Sequence, residues 1–382
     1  MRPLLLAAMP ALLFAGCNAA DDAVAQNDTP AATAQGNRPF KVEQVAKFSE
    51  PWAMTFPPGG DALVTERAGR LILWRSGRAI PVTGVPKVDY GGQGGLGDVI
   101  IHPDFANNAF VYLSYAEAGE GDTRGAAVGR GKLVTEGGAP RLEGFEVIWR
   151  QEPKVSGRGH YGHRLAFSPD GFLFISSGER QKFDPAQADD QNLGKIIRLT
   201  DAGGIPFDNP NYDPGRIKAQ WWSKGHRNPL GLAFDGEGRL WEHEMGPKGG
   251  DEVNLIERGA NYGYPIVSNG DHYDGRDIPD HPTRPEFAAP KVSWNPVISP
   301  AGMIIYSGDM FPAWRGDILM GGLSGKALIR IDLNGIAAAK ADQWDMGERI
   351  REVEQGPDGA VWLLEDEDEG RGGRLLKLTP AR

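Results

Sequence analysis

"FSPDGFLFISSGER" (residues 167–180) places a Pro-Asp-Gly turn directly before an alternating apolar run, which is typical of a hairpin turn that enters a β-strand. Similar turn-and-strand segments recur at 56–67, 101–116, 234–246 and 356–366. Second apolar runs follow several of them, at 68–75, 193–200, 325–333 and 373–380. Similar β-units repeated at intervals of tens of residues predict a closed β-propeller, in which radial repetition protects the sheet edges.

The number of blades follows from chain length. No long stretch shows a 3.6-residue apolar period, so we expect few helices. About 340 globular residues at roughly 40–60 residues per blade fit six blades best. The sequence therefore predicts an all-β, six-bladed β-propeller that forms a single domain over 38–382. Three polar segments, 181–192, 204–220 and 268–290, are too long for hairpin turns and are expected to be functional loops.

The sequence pattern of the N-terminus predicts a targeting segment. Residues 1–17, "MRPLLLAAMPALLFAGC", combine one basic residue, a short apolar stretch and a small-residue end, the layout of a signal peptide. The segment ends at the only cysteine, Cys17, in a pattern that resembles a bacterial lipobox. Residues 18–37 hold no large apolar residue and are expected to be a disordered tether. We expect a periplasmic protein of the bacterial cell envelope, lipid-anchored through Cys17, with ordinary secretion as the alternative.

Composition and charge argue against nucleic-acid binding, against an intramolecular disulfide bond and against one candidate metal site. The formal net charge is −10 and no basic run is present, which disfavours binding to nucleic acid. A lone cysteine cannot form an intramolecular disulfide bond. The acidic run "EDEDEG" (365–370) has no metal-ligand spacing and is interpreted as a solvated loop.

Two histidines stand in a glycine-rich segment, "GRGHYGHRLAF" (157–167), before a predicted strand. A histidine held there with its ring free could act as a general base. His160 and His163 would point to opposite sides of an extended segment, so we do not expect them to act as a pair. The simpler alternative is a histidine that only stabilises the turn. Zinc is rejected, because no second ligand pair has suitable spacing.

Other polar residues also precede predicted strands. Arg227 and Asn228 stand before a proline and a strand, and arginine suits carboxylates and flat rings. In "RIREV" (349–353), Arg349 and Arg351 are two residues apart and so share one face of a strand. Gln93 lies in the glycine-rich loop of 91–105.

These segments together resemble the soluble quinoprotein sugar dehydrogenases, also called the glucose/sorbosone dehydrogenase family. The resemblance runs from about residue 38 to the C-terminus. It rests on an ordered set of six segments: "QGGLGDVIIHPDF", "HYGHRLAFSPDG", "GHRNPLGLAFD", "EMGPKGGDEVNLIERGANYGYP", "SPAGMIIYSGDMFPAWRGDILMGGLSGKALIRIDL" and "RIREVEQGPDG". It implies a six-bladed propeller that binds pyrroloquinoline quinone (PQQ) and Ca²⁺ and oxidises the anomeric carbon of aldoses to the lactone. The implied partners are an aldose substrate and an unidentified electron acceptor.

The resemblance assigns the catalytic roles. His160 falls on the family's histidine base, which takes the C1 hydroxyl proton as hydride passes to the quinone. His163 falls on a variable position and is expected to be structural. Gln93 would contact the reacting hydroxyl or the quinone oxygens, and Arg227 would contact the quinone carbonyls.

The remaining implied roles concern cofactor and metal. Asn228 would support the cofactor beside Arg227, and Arg349 and Arg351 would bind its carboxylates. The backbone carbonyls of Gly246 and Pro247 would bind the Ca²⁺ that orients PQQ, since calcium prefers oxygen ligands. Glu252 and Tyr262 match positions of a second, structural calcium.

One position departs from the glucose-oxidising members. Ser324 stands where they have a lysine that contacts a PQQ carboxylate, and Lys326 follows two residues later. This departure favours broad aldose specificity over strict glucose specificity. Two alternatives remain open, a calcium-dependent lactonase and a non-catalytic binding propeller, because fold alone does not determine function.

Overall fold

The protein is described by a computed structural model that covers residues 38–367, 370 and 372–381. Strands dominate these residues. The strands are β1 (Phe40–Lys47), β2 (Pro51–Thr55), β3 (Ala62–Glu66), β4 (Arg70–Arg75), β5 (Arg78–Val82), β6 (Leu96–Ile101), β7 (Phe110–Ala118), β8 (Arg124–Val134), β9 (Arg141–Arg150), β10 (Gly162–Phe167), β11 (Leu173–Ser177), β12 (Lys195–Leu199), β13 (Trp221–Lys224), β14 (Pro229–Phe234), β15 (Leu240–Glu244), β16 (Lys248–Gly249), β17 (Asp251–Ile256), β18 (Gly270–Asp271), β19 (Val292–Trp294), β20 (Pro300–Ile305), β21 (Ile318–Gly322), β22 (Ala327–Asn334), β23 (Ala337–Asp345), β24 (Ile350–Gln355), β25 (Val361–Glu365) and β26 (Arg374–Pro380). The helices are short: α1 (Phe105–Asn108) and 3₁₀ turns at Asp184–Ala186, Ile217–Gln220, His281–Thr283 and Pro312–Trp314.

Twenty-four of the described strands form six four-stranded antiparallel sheets, the blades of a propeller, and β16 and β18 form a separate two-stranded sheet. Five blades use consecutive strands: β2–β5, β6–β9, β10–β13, then β14, β15, β17 and β19, then β20–β23. The sixth is completed from both ends of the domain, because β1 pairs with β26 as the outermost strand beside β25 and β24. The ring is thereby closed, and the predicted six-bladed propeller is confirmed.

The hydrophobic core lies between blades rather than at one centre. Buried apolar residues form six clusters, and each cluster joins the facing surfaces of two neighbouring blades. Alternating strand residues point to opposite faces of a sheet, so each blade has two apolar faces and buries both. A blade without neighbours on both sides would leave one of these faces in water.

The innermost strands position the site. They are β2, β6, β10, β14, β20 and β24, and each contacts the next around the axis. All six begin at the same end of the axis, because residues at or just before their starts line one cavity there. A residue that stands directly before an innermost strand is therefore brought to a common mouth.

Most of the sequence-based expectations for the strands are confirmed. Each predicted turn-and-strand segment contains an observed strand, among them β3, β7, β11, β15 and β25. The predicted signal peptide (1–17) and tether (18–37) lie outside the described residues. Within the described part of the chain, no helix has the length and apolar character required to cross a membrane.

Ring closure by β1 is testable at Phe40. Its side chain is only 4% exposed and packs edge-on against Trp314 and Trp344, with ring centroids 6.1 and 5.4 Å away. We expect Phe40→Ala to lower the free energy of unfolding by about 3–5 kcal/mol, because it leaves a cavity where the N-terminal strand meets its neighbouring blade. Chemical denaturation measures this loss.

Val42 on the same strand provides the matched control, because it is 39% exposed. Val42→Ala should change the free energy of unfolding by less than about 0.5 kcal/mol. Equal losses in the two variants would mean that β1 does not close the ring through its buried face.

Candidate active site

A cavity of about 350 Å³ opens at the end of the axis where the innermost strands begin. Four predicted site residues line it: Gln93, Asn228, Arg349 and Arg351. Further charges on its walls come from Arg67, Asp366 and Glu367. A larger surface cleft of about 660 Å³, lined by residues 188–190, 213 and 215–218, contains none of the predicted residues.

His160 stands two residues before β10 and is linked to Gln93. Its backbone N–H donates to Gln93 Oε1 at 2.7 Å. Its ring Nδ1 is hydrogen-bonded to a carboxylate oxygen of Glu179, which follows β11. A carboxylate partner favours the tautomer with the proton on Nδ1, which leaves the lone pair of the imidazole on Nε2.

The electrostatics keep His160 neutral. Burial lowers the pKa of its imidazole, Arg227 and Arg180 lower it further, and Glu179 opposes them. The pKa of Glu179 lies below its ordinary value: burial is the largest influence and raises it, but the contacts with His160, the Phe183 backbone N–H and Arg227 together outweigh burial. A neutral imidazole that is oriented by an ionised carboxylate is the arrangement required of a general base.

The backbone around His160 is tightly constrained. The φ angles of His160 and His163 are +50° and +79°, in the left-handed region, so the extended conformation considered for this segment is wrong. Gly162 between them has φ +76°, and a Cβ atom there would lie 2.6 Å from the carbonyl oxygen of Ser176. Non-glycine residues in this region store strain that the surrounding structure has to offset.

His163 has different surroundings from His160. Its ring stacks on Tyr161 and meets Trp52 edge-on, with centroids 5.2 and 5.9 Å apart. Burial lowers the pKa of its imidazole to about 3. Both ring nitrogens are buried without a hydrogen-bond partner. Its ring therefore packs as an uncharged aromatic group at the cavity wall.

Arg227 and Asn228 precede β14 and are held by one carboxylate. Both backbone N–H groups donate to Glu244 Oε2, that of Asn228 at 3.0 Å. The Asn228 Oδ1 accepts from Gly162 N at 3.3 Å, which connects this loop to the His160 segment. Arg227 Nε is buried without a hydrogen-bond partner.

Arg349 and Arg351 meet across a single carboxylate. Their Nε atoms donate to Asp366 Oδ2 and Oδ1 at 2.9 and 3.0 Å. Burial would raise the pKa of Asp366, but the two guanidiniums hold it below its ordinary value. The two arginines therefore lie on one side, as their spacing predicts.

The interpretation of 365–370 as a solvated loop is wrong for its first three members. Glu365 is buried and paired with Arg374, and Asp366 and Glu367 line the cavity. Residues 368 and 369 of the run lie outside the described residues, so the prediction is not tested there.

A buried ionic cluster lies among the innermost strands, at a second cavity of about 270 Å³ that Asp98, Arg164 and Glu352 line. Arg164 in β10 is paired with Glu352 in β24 and lies 3.4 Å from Asp98 in β6. Its Nε donates to Leu230 O in β14 at 2.8 Å, and its guanidinium lies over the Trp52 ring in β2. One side chain thus connects five of the six blades.

The four predicted metal residues lie together beside Arg227. Gly246, Pro247, Glu252 and Tyr262 line one small void of about 10 Å³. The Gly246 carbonyl accepts from Arg227 Nη1 at 2.7 Å. The Tyr262 hydroxyl donates to Leu255 O at 2.6 Å and accepts from Glu257 N, so its phenol oxygen is already engaged.

An acidic cluster not foreseen from the sequence adjoins this void. Side-chain atoms of His226, Glu242 and Glu244 lie within 4.8 Å of one another, all three residues buried. Burial and the nearby Glu244 raise the pKa values of Glu242 and Glu252 well above their ordinary range. Glu242 Oε1 and Asn254 Oδ1 are buried without hydrogen-bond partners. These oxygens have the chemistry of ligands for a hard cation.

Ser324 and Lys326 lie in the turn between β21 and β22. The Ser324 hydroxyl donates to Ser299 Oγ at 2.8 Å, and Ser299 lines the cavity. Lys326 is exposed and is not among the residues of the cavity wall.

Comparison with known proteins identifies the family. The model of the Glucose / Sorbosone dehydrogenase family matches residues 48–377. The chain belongs to the glucose/sorbosone dehydrogenase family. This confirms the predicted resemblance, and with it the expected enzyme class of quinoprotein sugar dehydrogenases.

Relatives of this glucose/sorbosone dehydrogenase family member cover most of its length. The aldose sugar dehydrogenase YliI of Escherichia coli (strain K12) is 40% identical over 344 residues, which are 87% of this chain and 91% of the relative. A solved PQQ-bound aldose sugar dehydrogenase from Streptomyces coelicolor superposes with a TM-score of 0.73 at 29% identity, over 89% of this chain and 98% of that one. The quinoprotein glucose dehydrogenase B of Acinetobacter calcoaceticus is 31% identical over 59% of this chain and 52% of the relative.

Sequence reasoning missed the carboxylates that orient the predicted residues in this family member. Glu179 and Asp366 both follow the second strand of a blade, where the chain returns to the mouth. This position could have indicated them from the sequence, because the residue after the second strand of a blade lies beside the residue before the first strand of the same blade. Glu244 ends β15 in the same way.

Proposed function

We propose that this protein oxidises the C1 hydroxyl of aldose sugars to the lactone with PQQ as electron acceptor, and that it accepts a broad range of aldoses. His160 is not among the residues that line the cavity, but its backbone is bonded to Gln93, which is. The observation that carries the proposal is this His160, oriented by Glu179 and with a lowered pKa, next to a wall residue of a cavity that Arg349 and Arg351 also line. The E. coli relative, which matches most of the chain, is named for aldose sugars in general.

The cavity suits PQQ in size and charge. Its volume of about 350 Å³ lies within the roughly 300–1,000 Å³ typical of small-ligand sites. PQQ is a planar quinone with three carboxylates, and guanidiniums are the planar donors that match carboxylates. Arg349 and Arg351 would bind these carboxylates, while Gln93, Arg227 and Asn228 would contact the quinone end.

The chain's own residues would handle the proton. When bound, PQQ supplies the two-electron acceptor for the hydride that leaves C1 of the sugar. His160 Nε2 would take the proton of the C1 hydroxyl, and Glu179 would stabilise the imidazolium that results. Gln93 Oε1 holds the His160 backbone, which fixes the distance between the base and the cavity.

Calcium is part of the proposal. The buried carboxylates Glu242, Glu244 and Glu252 repel one another unless protons or a cation compensate them. Gly246 and Pro247 line the same void as Glu252, and their carbonyls would be further ligands. Because the Tyr262 phenol is engaged, its main-chain carbonyl would be the contributing ligand.

The first experiment is dye-linked oxidation of a panel of aldoses by protein lacking residues 1–37, with and without PQQ and Ca²⁺. We expect activity on several aldoses only when both are added. His160→Gln should lower kcat by about 10²–10⁴-fold, because it removes the base, while PQQ binding measured by fluorescence quenching persists.

His102→Gln is the matched control, because His102 lies at the far end of β6 beside Asp201 and outside the cavity. It should keep the wild-type rate. Absence of oxidation across the panel, together with absence of a PQQ-induced change in Tm, would overturn the proposal and favour a lactonase or a binding propeller.

Chelation tests the calcium site. A cation present at about 100 times its Kd stabilises the fold by about 2.7 kcal/mol, so EGTA should lower Tm by roughly 5 °C. Glu252→Gln should abolish this shift. Glu257 is exposed and lies five residues further along the chain, so Glu257→Gln should keep the EGTA-induced decrease in Tm. A full EGTA shift in Glu252→Gln would show that Glu252 is not a ligand.

We also propose that the mature protein is periplasmic and is lipid-anchored through Cys17. The support is the lipobox-like end of the 1–17 segment and the polar segment that follows. Labelled palmitate should be incorporated into the full chain expressed in a bacterial host, and Cys17→Ser should release the protein from the membrane fraction. A Cys17→Ser variant that remains membrane-bound would contradict the anchor.

A further inference from the structure

Arg180 is a buried cation whose side-chain hydrogen bonds all go to neutral oxygens. It is 1% exposed and directly follows Glu179. Its Nε donates to Gly159 O at 2.8 Å and its Nη2 to Gly157 O at 2.6 Å. Its Nη1 donates to Arg124 O at 2.7 Å and, at 3.4 Å, to Gln151 Oε1. A buried charge is costly unless it is paired, so this arrangement requires a reason.

The contacts of Arg180 surround the segment that carries the base. The carbonyls of Gly157 and Gly159 precede His160, and the guanidinium lies 3.8 Å from the centroid of the Tyr161 ring, which follows it. The Arg180 backbone N–H donates to His160 O at 3.2 Å. One residue thus binds the chain before, at and after His160.

The backbone is strained both at His160 and in the segment that begins at Arg180. His160, Arg180, Gln181 and Phe183 all have positive φ angles, between +50° and +64°. Such conformations persist only where surrounding contacts over-determine them, and they cluster at functional sites. The hydrogen bonds of Arg180 are contacts of this kind.

We propose that Arg180 is a positioning residue for His160, whose guanidinium fixes the 157–161 segment and holds a positive charge behind the base. The proposal rests on the proposed function, in which His160 accepts the substrate proton. Arg180 is not itself one of the residues that line the cavity, and it acts through the segment that carries His160 and Tyr161.

The charge has a defined direction of effect. Burial is the largest influence on the pKa of His160 and lowers it, Glu179 raises it, and Arg227 and Arg180 lower it. Burial also lowers the pKa of Arg180 itself, to about 10, which leaves it charged at neutral pH. Removal of Arg180 should therefore raise the pKa of His160, and activity should disappear at a higher pH as the solution is acidified.

Two substitutions separate the charge of Arg180 from its geometry. Arg180→Gln removes the charge and most of the donors, so kcat should fall at least about 10-fold and the acid limb of kcat against pH should move to higher pH. Arg180→Lys keeps the charge but loses the planar fork of donors. It should lower kcat while the acid limb stays at its wild-type pH and KM changes little.

Arg198→Met is the matched control. Arg198 is also a buried arginine, 4% exposed and 3.8 Å over the ring of Phe172, but it pairs with Asp208 and lies away from the cavity. It should lower Tm and leave both kcat and the acid limb unchanged. The same acid-limb shift in Arg198→Met would mean that the effect reports general loosening and would overturn the proposal.

The ring signals of His160 provide a readout that does not depend on activity. In protein with ¹³C-labelled histidine, His160→Gln identifies its signal among the seven histidines. The titration midpoint of His160 should rise in Arg180→Gln and hold in Arg180→Lys. If wild-type protein oxidises sugars but the midpoint and kcat of Arg180→Gln equal those of wild type, the positioning role is wrong while the proposed function stands.

The remaining outcomes are also decisive. If wild-type protein oxidises no sugar, the proposed function fails, and an unchanged His160 midpoint in Arg180→Gln would then reject the electrostatic role separately. If Arg180→Gln does not fold, Arg180→Lys carries the test, because wild-type kcat in that variant would overturn the positioning role.

Discussion

The burial of apolar surface between neighbouring blades is the constraint on which the rest of the structure depends. Each of the six core clusters joins two blades, and the cluster between the first and the sixth blade forms only when the ring closes. Closure in turn requires β1 to join β26, which makes the sixth blade a product of both ends of the domain. Folding is therefore expected to be dominated by non-local contacts.

The closed ring explains how a strained site is maintained. The innermost strands are held in place by the packing behind them, so the residues before each strand have little freedom. Arg164 adds an ionic connection among innermost strands of different blades. The stability of the ring can offset left-handed conformations at His160 and His163, which an isolated loop would not keep.

The sequence supported a correct prediction of much of the fold and of part of the site. Turn chemistry and strand alternation are local, so the strands and the six blades could be predicted from them. Gln93, Asn228, Arg349 and Arg351 were placed in one site by the family resemblance, and the structure brings the four to one cavity. The roles of the site residues stay predictions, since neither the geometry nor the relatives test them.

The features that sequence reasoning missed depend on long-range pairing. Spacing within a segment says nothing about a carboxylate that arrives from another strand, as Glu179 does for His160 and Asp366 for the two arginines. The interpretation of 365–370 as solvated was wrong at Asp366 for this reason, because its partners come from β24 and the residue before it. Pairing of β1 with β26 spans almost the whole described chain and leaves no local signal.

The contact between Asp366 and the two arginines affects the order in which the polypeptide folds and binds an anion. Because the chain supplies its own carboxylate to the Nε atoms, the orientation of both guanidiniums is set by folding alone. An anion that bound in the cavity would find both guanidiniums already oriented, so little of their side-chain entropy would be lost at that step. A site of this kind would be formed by folding of the polypeptide alone. It could bind its anionic ligand afterwards, in the compartment where that ligand is available.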